Sequence, residues 1–579
     1  MNEQMKAVNT RIFAEIREEG YEVLHGIDAS TENAGALNRE LLLRIIRKNS
    51  GTEYGRKYGF SEIRDVDAYR RQVPFTVYSD YEPYIERMTQ KGEQNVLTAE
   101  PPVYYAETSG TTGKPKNVPV TADGLRTFLD FTTAPMPAVI SEFYRNTRQT
   151  DIEYGKEFAA LSLVRNVFPS GTPYGSLSAT FTEDGDGDEE EDGDIDFFGC
   201  YETTPEAVMR CGGKADMKYL HTRYAVAEPD VVYLTSAYIP ALVDLMDYIR
   251  DHHEMLVRDI REGVIDPAIR IPADLRKTLE DALEPDPGRA DELEKEFAKG
   301  FDRTIMKRIW PGLAAVCAIW AGNYLPYARK LQQYSGRSIP YYTMSYLASE
   351  GVFGMARHPF DPYYCMLPES CFYEFIPADG EDREDGCPAT LLLDEVEEGK
   401  KYELVITNQS GFYRYRMGDV VRVAGFYNET PMVEFCFRKK NVLSLTGEKV
   451  TEDDLVSAMR ELERRSGIRF TDFCVYPDQM GKQGRYVVYI EPEKPVPGKR
   501  AEELGPILHE ELCRANETYE SQAGIIGIPG IVFLRPQAFL LYKNAIMEKY
   551  GIPDNQIKPV RVLSTPEQVR FFEDQRVSG

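Results

Sequence analysis

The run Glu107-Thr108-Ser109-Gly110-Thr111-Thr112-Gly113-Lys114-Pro115-Lys116 concentrates groups that bind anions. Its glycines let the backbone turn tightly and offer N–H groups to an anion. Thr108, Ser109, Thr111 and Thr112 add hydroxyls, and Lys114 and Lys116 add positive charge. The run is not a Walker A loop. Only Thr111 and Thr112 separate Gly110 from Gly113, and Pro115 follows Lys114 where that motif requires Ser or Thr. Polyphosphate is nevertheless the ligand these residue types suit. The plain alternative is a Gly/Thr hairpin turn, which does not call for hydroxyls and paired lysines together.

Two later runs are weaker singly. In Tyr341–Gly351 (YYTMSYLASEG) the aromatic Tyr346 is followed by the small Ala348 and Ser349, which can wall a flat purine. Glu350, four residues on, can hold a magnesium ion that bridges phosphates. A buried strand ending in a glutamate is the alternative. In Tyr413–Val421 (YRYRMGDVV) Asp419 follows Gly418 at what reads as a strand end and can accept hydrogen bonds from both ribose hydroxyls. Alone, that run reads equally as a turn.

The whole chain bounds these readings. Its 579 residues carry 68 Lys plus Arg against 94 Asp plus Glu, a net charge of −26. Such a charge repels a nucleic-acid backbone at long range but leaves room for one nucleotide in a locally basic cleft. Nine cysteines without a CxxC pair suggest neither a zinc site nor a disulfide framework, so reduced thiols in the cytoplasm are expected. The first twenty residues have no apolar core, so no secretory leader is expected. The acidic run 183–196 reads as a solvated loop. Asp188, Glu190, Asp192 and Asp194 follow the opening spacing of a calcium loop, but its twelfth position falls on Gly199 instead of a glutamate. Of six histidines, His358 follows the second run most closely and is a candidate general base; a loop histidine is the plainer reading.

Periodicity supplies the elements that must position these residues. ALNRELLLRIIRKNSG reads as a helix ending near Gly51. FAALSLVRNV and PDVVYLTSAY read as buried strands, PALVDLMDYIRDHHEMLVRDI as a long helix, and 274–300 as a solvated helical element broken near Pro285 and Pro287. Ile309–Ala328, though apolar, is interrupted by Pro311, Asn323 and Pro326 and reads as core. Strand and helix patterns alternate, which favours a layered α/β core. After Arg438 the pattern changes. Thr451 and Asp454 form a capping-box pair ahead of an amphipathic helix, and DFCVYPDQMGKQGRYVVYIEP reads as two strands about a turn.

In their order and separations, TSGTTGKPK, YLASEG and YRMGD resemble the adenylate-forming superfamily. They are more closely similar to the acyl acid amido synthetase family first known from auxin-responsive plant proteins, which has bacterial members. WPGLAAVCAIWAGNYLPYARKLQQYSG, RKKNVLSLTGEKVTE and NQIKPVRVL extend that resemblance over most of the chain. It implies an α/β fold with a large N-terminal domain of layered sheets and helices over 1–437. A hinge at 438–441 and a small mobile α+β domain over 442–579 follow. It further implies that the chain uses ATP and Mg2+ to convert a carboxylic acid to its adenylate. The acyl group then passes to an amine, usually of an amino acid.

By the same resemblance Thr108 and Ser109–Lys114 hold the phosphates. Tyr346, with Ala348 and Ser349, lines the adenine, Glu350 ligates magnesium, and Asp419, helped by Arg438, binds the ribose. Lys558 would be delivered by the small domain to the carboxylate and α-phosphate, and Lys449 either faces the site in one domain orientation or is a loop lysine. Small acid and amine substrates are implied, with no nucleic-acid, membrane or protein partner. An acyl-CoA ligase shares the first half-reaction and so the same motifs. A non-catalytic nucleotide-binding protein would keep the fold alone.

Overall fold

Apolar side chains at three- and four-residue spacing build the helix Ala34–Lys48, which buries Leu41, Leu42, Ile45 and Ile46. It follows the long N-terminal helix Glu3–Thr31. The computed structural model describes residues 3–108, 116–132, 134–181, 197–378, 388–439, 443–446, 448, 450–479, 483–550 and 557–577. Among these, one unit holds 3–108, 116–417 and 421–434, and another holds 418–420 and everything from 435 onward. The acidic run, together with Lys440 and Asn441 of the expected hinge, lies outside the described residues. No helix among those described is long and apolar enough to cross a membrane.

The first unit carries a parallel sheet in the order Lys156–Ala160, Val231–Tyr238, Ala315–Ile319, Tyr341–Tyr342. Its strands are nearly continuous runs of buried residues, as a sheet covered on both faces demands. Leu242, Met246 and Ile249 of the helix Pro240–Glu262 pack into the core with Trp310, whose indole N–H donates to the Ala225 carbonyl at 2.8 Å. Met344, at φ 53°, then turns the chain out of this sheet. Ser345–Ala348 follows as the last strand of a seven-stranded sheet ordered Phe372–Pro377, Lys401–Thr407, Tyr415–Tyr427, Thr430–Arg438, Tyr364–Met366, Gly351–Met355, Ser345–Ala348. A third sheet pairs Tyr104–Glu107 with Asn117–Val120 as an antiparallel hairpin.

Two expectations need correction, and one expected helix carries a kink. FAALSLVRNV is not one strand. Lys156–Ala160 stays in the parallel sheet, while Arg165–Val167 pairs in the third sheet with Pro173–Gly175. Apolar residues run on through Leu161, Leu163 and Val164, so hydropathy hides the break, although Val167 is exposed. The long helix is kinked at His252, where φ is −129°. The charged segment 274–300 is not merely solvated. Arg289 is buried, donating to the carbonyls of Val226 and Ile309, and Leu293 and Phe297 join the core.

In the second unit the strands Phe470–Asp478, Arg485–Pro492 and Gly527–Phe533 form one sheet, with Leu455, Met459, Leu508 and Leu512 of two helices in its core. Thr451 and Asp454 make the reciprocal capping pair that their spacing predicts. Arg561 and Asp472 form a buried ion pair there.

Arg414 fixes the entry to the strand Tyr415–Tyr427. Its backbone sits at φ 47°, a conformation unfavourable for a residue with a Cβ. Its guanidinium offsets that cost with two bonds to Glu374, at 2.9 and 3.0 Å, and one each to the carbonyls of Arg70 and Val73. Glu374 is 1% exposed, so removing Arg414 leaves a buried carboxylate held only by the longer Arg70 contact at 3.2 Å and by the Thr390 hydroxyl at 2.8 Å. Arg414→Ala is expected to lose about 3–5 kcal/mol of unfolding free energy in urea titration of the full chain. A loss below about 1 kcal/mol would show that the pair does not hold this entry.

Candidate active site

The base of the first motif is a closed neck. Thr108 and Lys116 face each other beyond the paired Glu107 and Asn117, the Thr108 N–H donating to the Lys116 carbonyl at 2.9 Å. The Lys116 N–H in turn donates to Thr108 Oγ1 at 3.1 Å. Hairpin pairing therefore brings both ends of the loop together, as a tight anion-binding turn requires. Ser109, Gly110, Thr111, Thr112, Gly113 and Lys114 lie outside the described residues, as does Lys449.

The second motif is a hairpin tip. Ala348 pairs with Gly351, leaving Ser349 and Glu350 at the turn, both half-buried. Tyr346 is buried, its ring 5.3 Å from Phe353 and 5.7 Å from Tyr364. The backbone of Glu350 is clamped by Asn408, whose amide donates to the Glu350 carbonyl at 2.7 Å. Asn408 is held in turn by the N–H groups of Ser410 and Phe412 on its Oδ1.

The neck and the tip meet through Tyr415. Its hydroxyl donates to Glu350 Oε1 at 3.1 Å and accepts from Lys116 Nζ at 3.4 Å. Lys116 Nζ also lies 4.9 Å above the Tyr78 ring. The Tyr78 hydroxyl is tied to the backbone of Asn117, accepting from its N–H at 2.9 Å. Burial, opposed by the backbone bond to Asn117 and helped slightly by the Glu82 and Glu350 charges, pushes that hydroxyl up to about 12, so it stays protonated at neutral pH. A small cavity of about 30 Å3 opens beside Glu350, lined in part by Gly124, Ser349 and Asn408. That is room for a water or two.

Glu350 suits magnesium in one specific way. Among the described residues no three His, Cys, Asp or Glu side chains gather as a metal cage. Magnesium is commonly held by one or two carboxylates plus substrate phosphates, and a single half-buried carboxylate linked to the neck of a glycine- and hydroxyl-rich loop matches that donor set. Such a site would take the ion together with a polyphosphate.

The second unit holds Asp419, Arg438 and Lys558, and the first holds His358. Asp419 is 2% exposed and lies within the strand Tyr415–Tyr427, not at a strand end. Gly418 before it, at φ 82°, interrupts the regular conformation. Arg438 Nε donates to Asp419 Oδ1 at 2.5 Å, so these two expected partners are in contact. Lys558 is half-buried on the extended segment that precedes Arg561. His358 is exposed in the bend between the strands Gly351–Met355 and Tyr364–Met366. Sequence reading missed Tyr415 and Asn408 as site residues. Tyr415 stood inside the third motif, but Asn408 carries no signal, since its role comes from a loop folding back on Glu350.

Family models match the chain in three successive parts. The GH3 family N-terminal domain matches residues 23–340, its central domain 364–438 and its C-terminal domain 453–567. A jasmonoyl–L-amino acid synthetase of Oryza sativa subsp. japonica, GH3.5, is 30% identical over 490 residues, covering 81% of this chain and 82% of its own. An indole-3-acetic acid-amido synthetase of Oryza sativa subsp. indica, GH3.8, is 29% identical over 592 residues, covering 99% and 95%. The solved structure of GH3.15 acyl acid amido synthetase superposes with a TM-score of 0.81 at 25% identity over 96% of each chain. The N-terminal domain model alone matches more than half of the chain, and the other two follow in order, so the chain belongs to the GH3 family.

Proposed function

We propose that this chain is an ATP-dependent, AMP-forming ligase. It joins a small carboxylic acid to the amine of an amino acid through an acyl adenylate. The observation that carries the reading is the contact of the loop neck at Lys116 with the Glu350 carboxylate through Tyr415, in a chain whose relatives are amido synthetases.

In the first half-reaction the acid's carboxylate oxygen attacks the α-phosphorus, and the bond to the β-phosphate bridging oxygen breaks. Negative charge grows on the α-phosphoryl oxygens and on departing pyrophosphate. Fixed donors and cations stabilise it best where water is scarce. Thr108 and Ser109–Lys114 are assigned to the β- and γ-phosphates, Tyr346, Ala348 and Ser349 to the adenine, and Asp419 with Arg438 to the ribose. Glu350 would hold Mg2+, which when bound neutralises phosphate oxygens. Lys558 is assigned to the carboxylate and α-phosphate oxygens. In the second half-reaction the neutral amine attacks the acyl carbon and AMP leaves. His358 is one candidate to take the amine's proton. Turning of 442–579 about 438–441 would exchange the groups that close the cleft, with Lys449 one of those exchanged. On the absence of any CxxC pair among its nine cysteines, the compartment proposed for this work is the cytoplasm.

Two outcomes are expected. Lys558→Ala should slow adenylate formation about a hundredfold, the usual cost of one fixed electrostatic contact. Aminolysis of a supplied acyl adenylate should fall much less in single-turnover assays, and equal losses in both steps would contradict its role. With an acid that supports pyrophosphate release, amino acids should accelerate AMP formation and yield the amide by mass spectrometry. Acceleration by CoA with none by any amino acid would reject the amide-forming reading in favour of a thioester-forming one.

A further inference from the structure

Tyr415 has a job that the motif containing it does not announce. Its ring is held between two aromatic neighbours. It is 2% exposed, stacks on Phe412 at 4.7 Å and 21°, and meets the edge of Tyr81 at 6.2 Å. Backbone bonds on both sides pin its position, since Thr76 donates to the Arg414 carbonyl and accepts from the Arg416 N–H. The hydroxyl therefore has a set place, between Lys116 Nζ and Glu350 Oε1.

Glu350 is held differently. Asn408 fixes its backbone, and among the described residues the carboxylate's hydrogen bond is to Tyr415. A carboxylate that rotates presents a metal with a blurred donor set, whereas one oxygen held by a hydrogen bond aims the other. Partners of this kind around a metal-binding group tune both its orientation and its affinity.

We propose that the Tyr415 hydroxyl is a positioning group for the metal-binding carboxylate. It orients Glu350 and ties it to Lys116, so that the phosphate-loop neck and the metal carboxylate are set as one piece. The proposal rests on the assignment of Glu350 to the metal made above. The competing account is that Tyr415 is a buried phenol that has merely found partners for its hydroxyl, as buried tyrosines usually do. That account gives the hydroxyl no influence on metal binding.

The test uses the full chain with Mn2+ as the probe and α,β-methylene-ATP as the nucleotide. Bound Mn2+ is read by electron paramagnetic resonance, and nucleotide binding without metal by calorimetry. Tyr415→Phe deletes one oxygen and keeps the ring contacts. It is expected to weaken Mn2+ binding about tenfold, the size of one hydrogen bond to a charged group, with metal-free nucleotide binding within about twofold of the parent. Mn2+ binding within twofold of the parent would overturn the proposal.

Glu350→Gln separates the two levels of inference. If it weakens Mn2+ binding while Tyr415→Phe does not, the positioning role alone fails. If Glu350→Gln binds Mn2+ as the parent does, the metal assignment fails and the proposal with it. Lys116→Met tests the coupling from its other end and leaves the buried aromatic cluster untouched, so it serves even if Tyr415→Phe melts early. It is expected to weaken Mn2+ binding about threefold, and to add nothing to Tyr415→Phe in the double variant. No loss in Lys116→Met, or fully additive losses in the double variant, would break the link between the lysine and the carboxylate.

Discussion

A buried arginine in a left-handed backbone conformation decides where the site's polar groups point. Arg414 is forced to φ 47° where the chain leaves a loop and enters a strand. Glu374 and two carbonyls hold its side chain there, and its guanidinium lies 3.9 Å from the Phe75 ring centre. Strained conformations of this kind persist only where the surroundings over-determine them. The return for that strain is directional. Tyr415 is sent to Glu350, and Arg416 is sent to the buried Glu403, which it meets with two bonds of 2.8 and 2.7 Å. The arginines of YRYRMGD thus hold the motif in place rather than reach for a phosphate.

That division of labour makes sense in so acidic a chain. With a net charge of −26, the average field opposes a polyphosphate. Attraction must then come from short-range groups in fixed positions, because distant charges are screened within about 8–10 Å in ordinary salt. Lys116 illustrates the principle, standing over the face of Tyr78 and beside the Tyr415 hydroxyl. Arg414 and Arg416, by contrast, are paired with the buried carboxylates of Glu374 and Glu403.

Much of this was legible from residue order, and the limits were physical. The helix Ala34–Lys48, the capping pair Thr451 and Asp454 and the two strands after Phe470 follow from periodicity and local hydrogen-bonding rules. The hairpin neck at Thr108 and Lys116 follows from strand-prone runs on both sides of a glycine-rich turn. Features that depend on contacts distant in sequence were not legible. The handover of Leu161–Val164 between two sheets, the burial of Arg289 and the clamp of Asn408 on Glu350 each need a partner tens of residues away or more. The left-handed Arg414 was equally hidden, because its tolerance is created by Glu374 forty residues upstream and by Arg70 and Val73 further off.

The most direct measurement of the central claim is isotope exchange between labelled pyrophosphate and ATP in the absence of any amine. A chain that forms an acyl adenylate reversibly should return label to ATP only when a suitable carboxylic acid and a divalent metal are both present. Exchange that ignores the acid, or label that never enters ATP while ADP accumulates, would contradict the account.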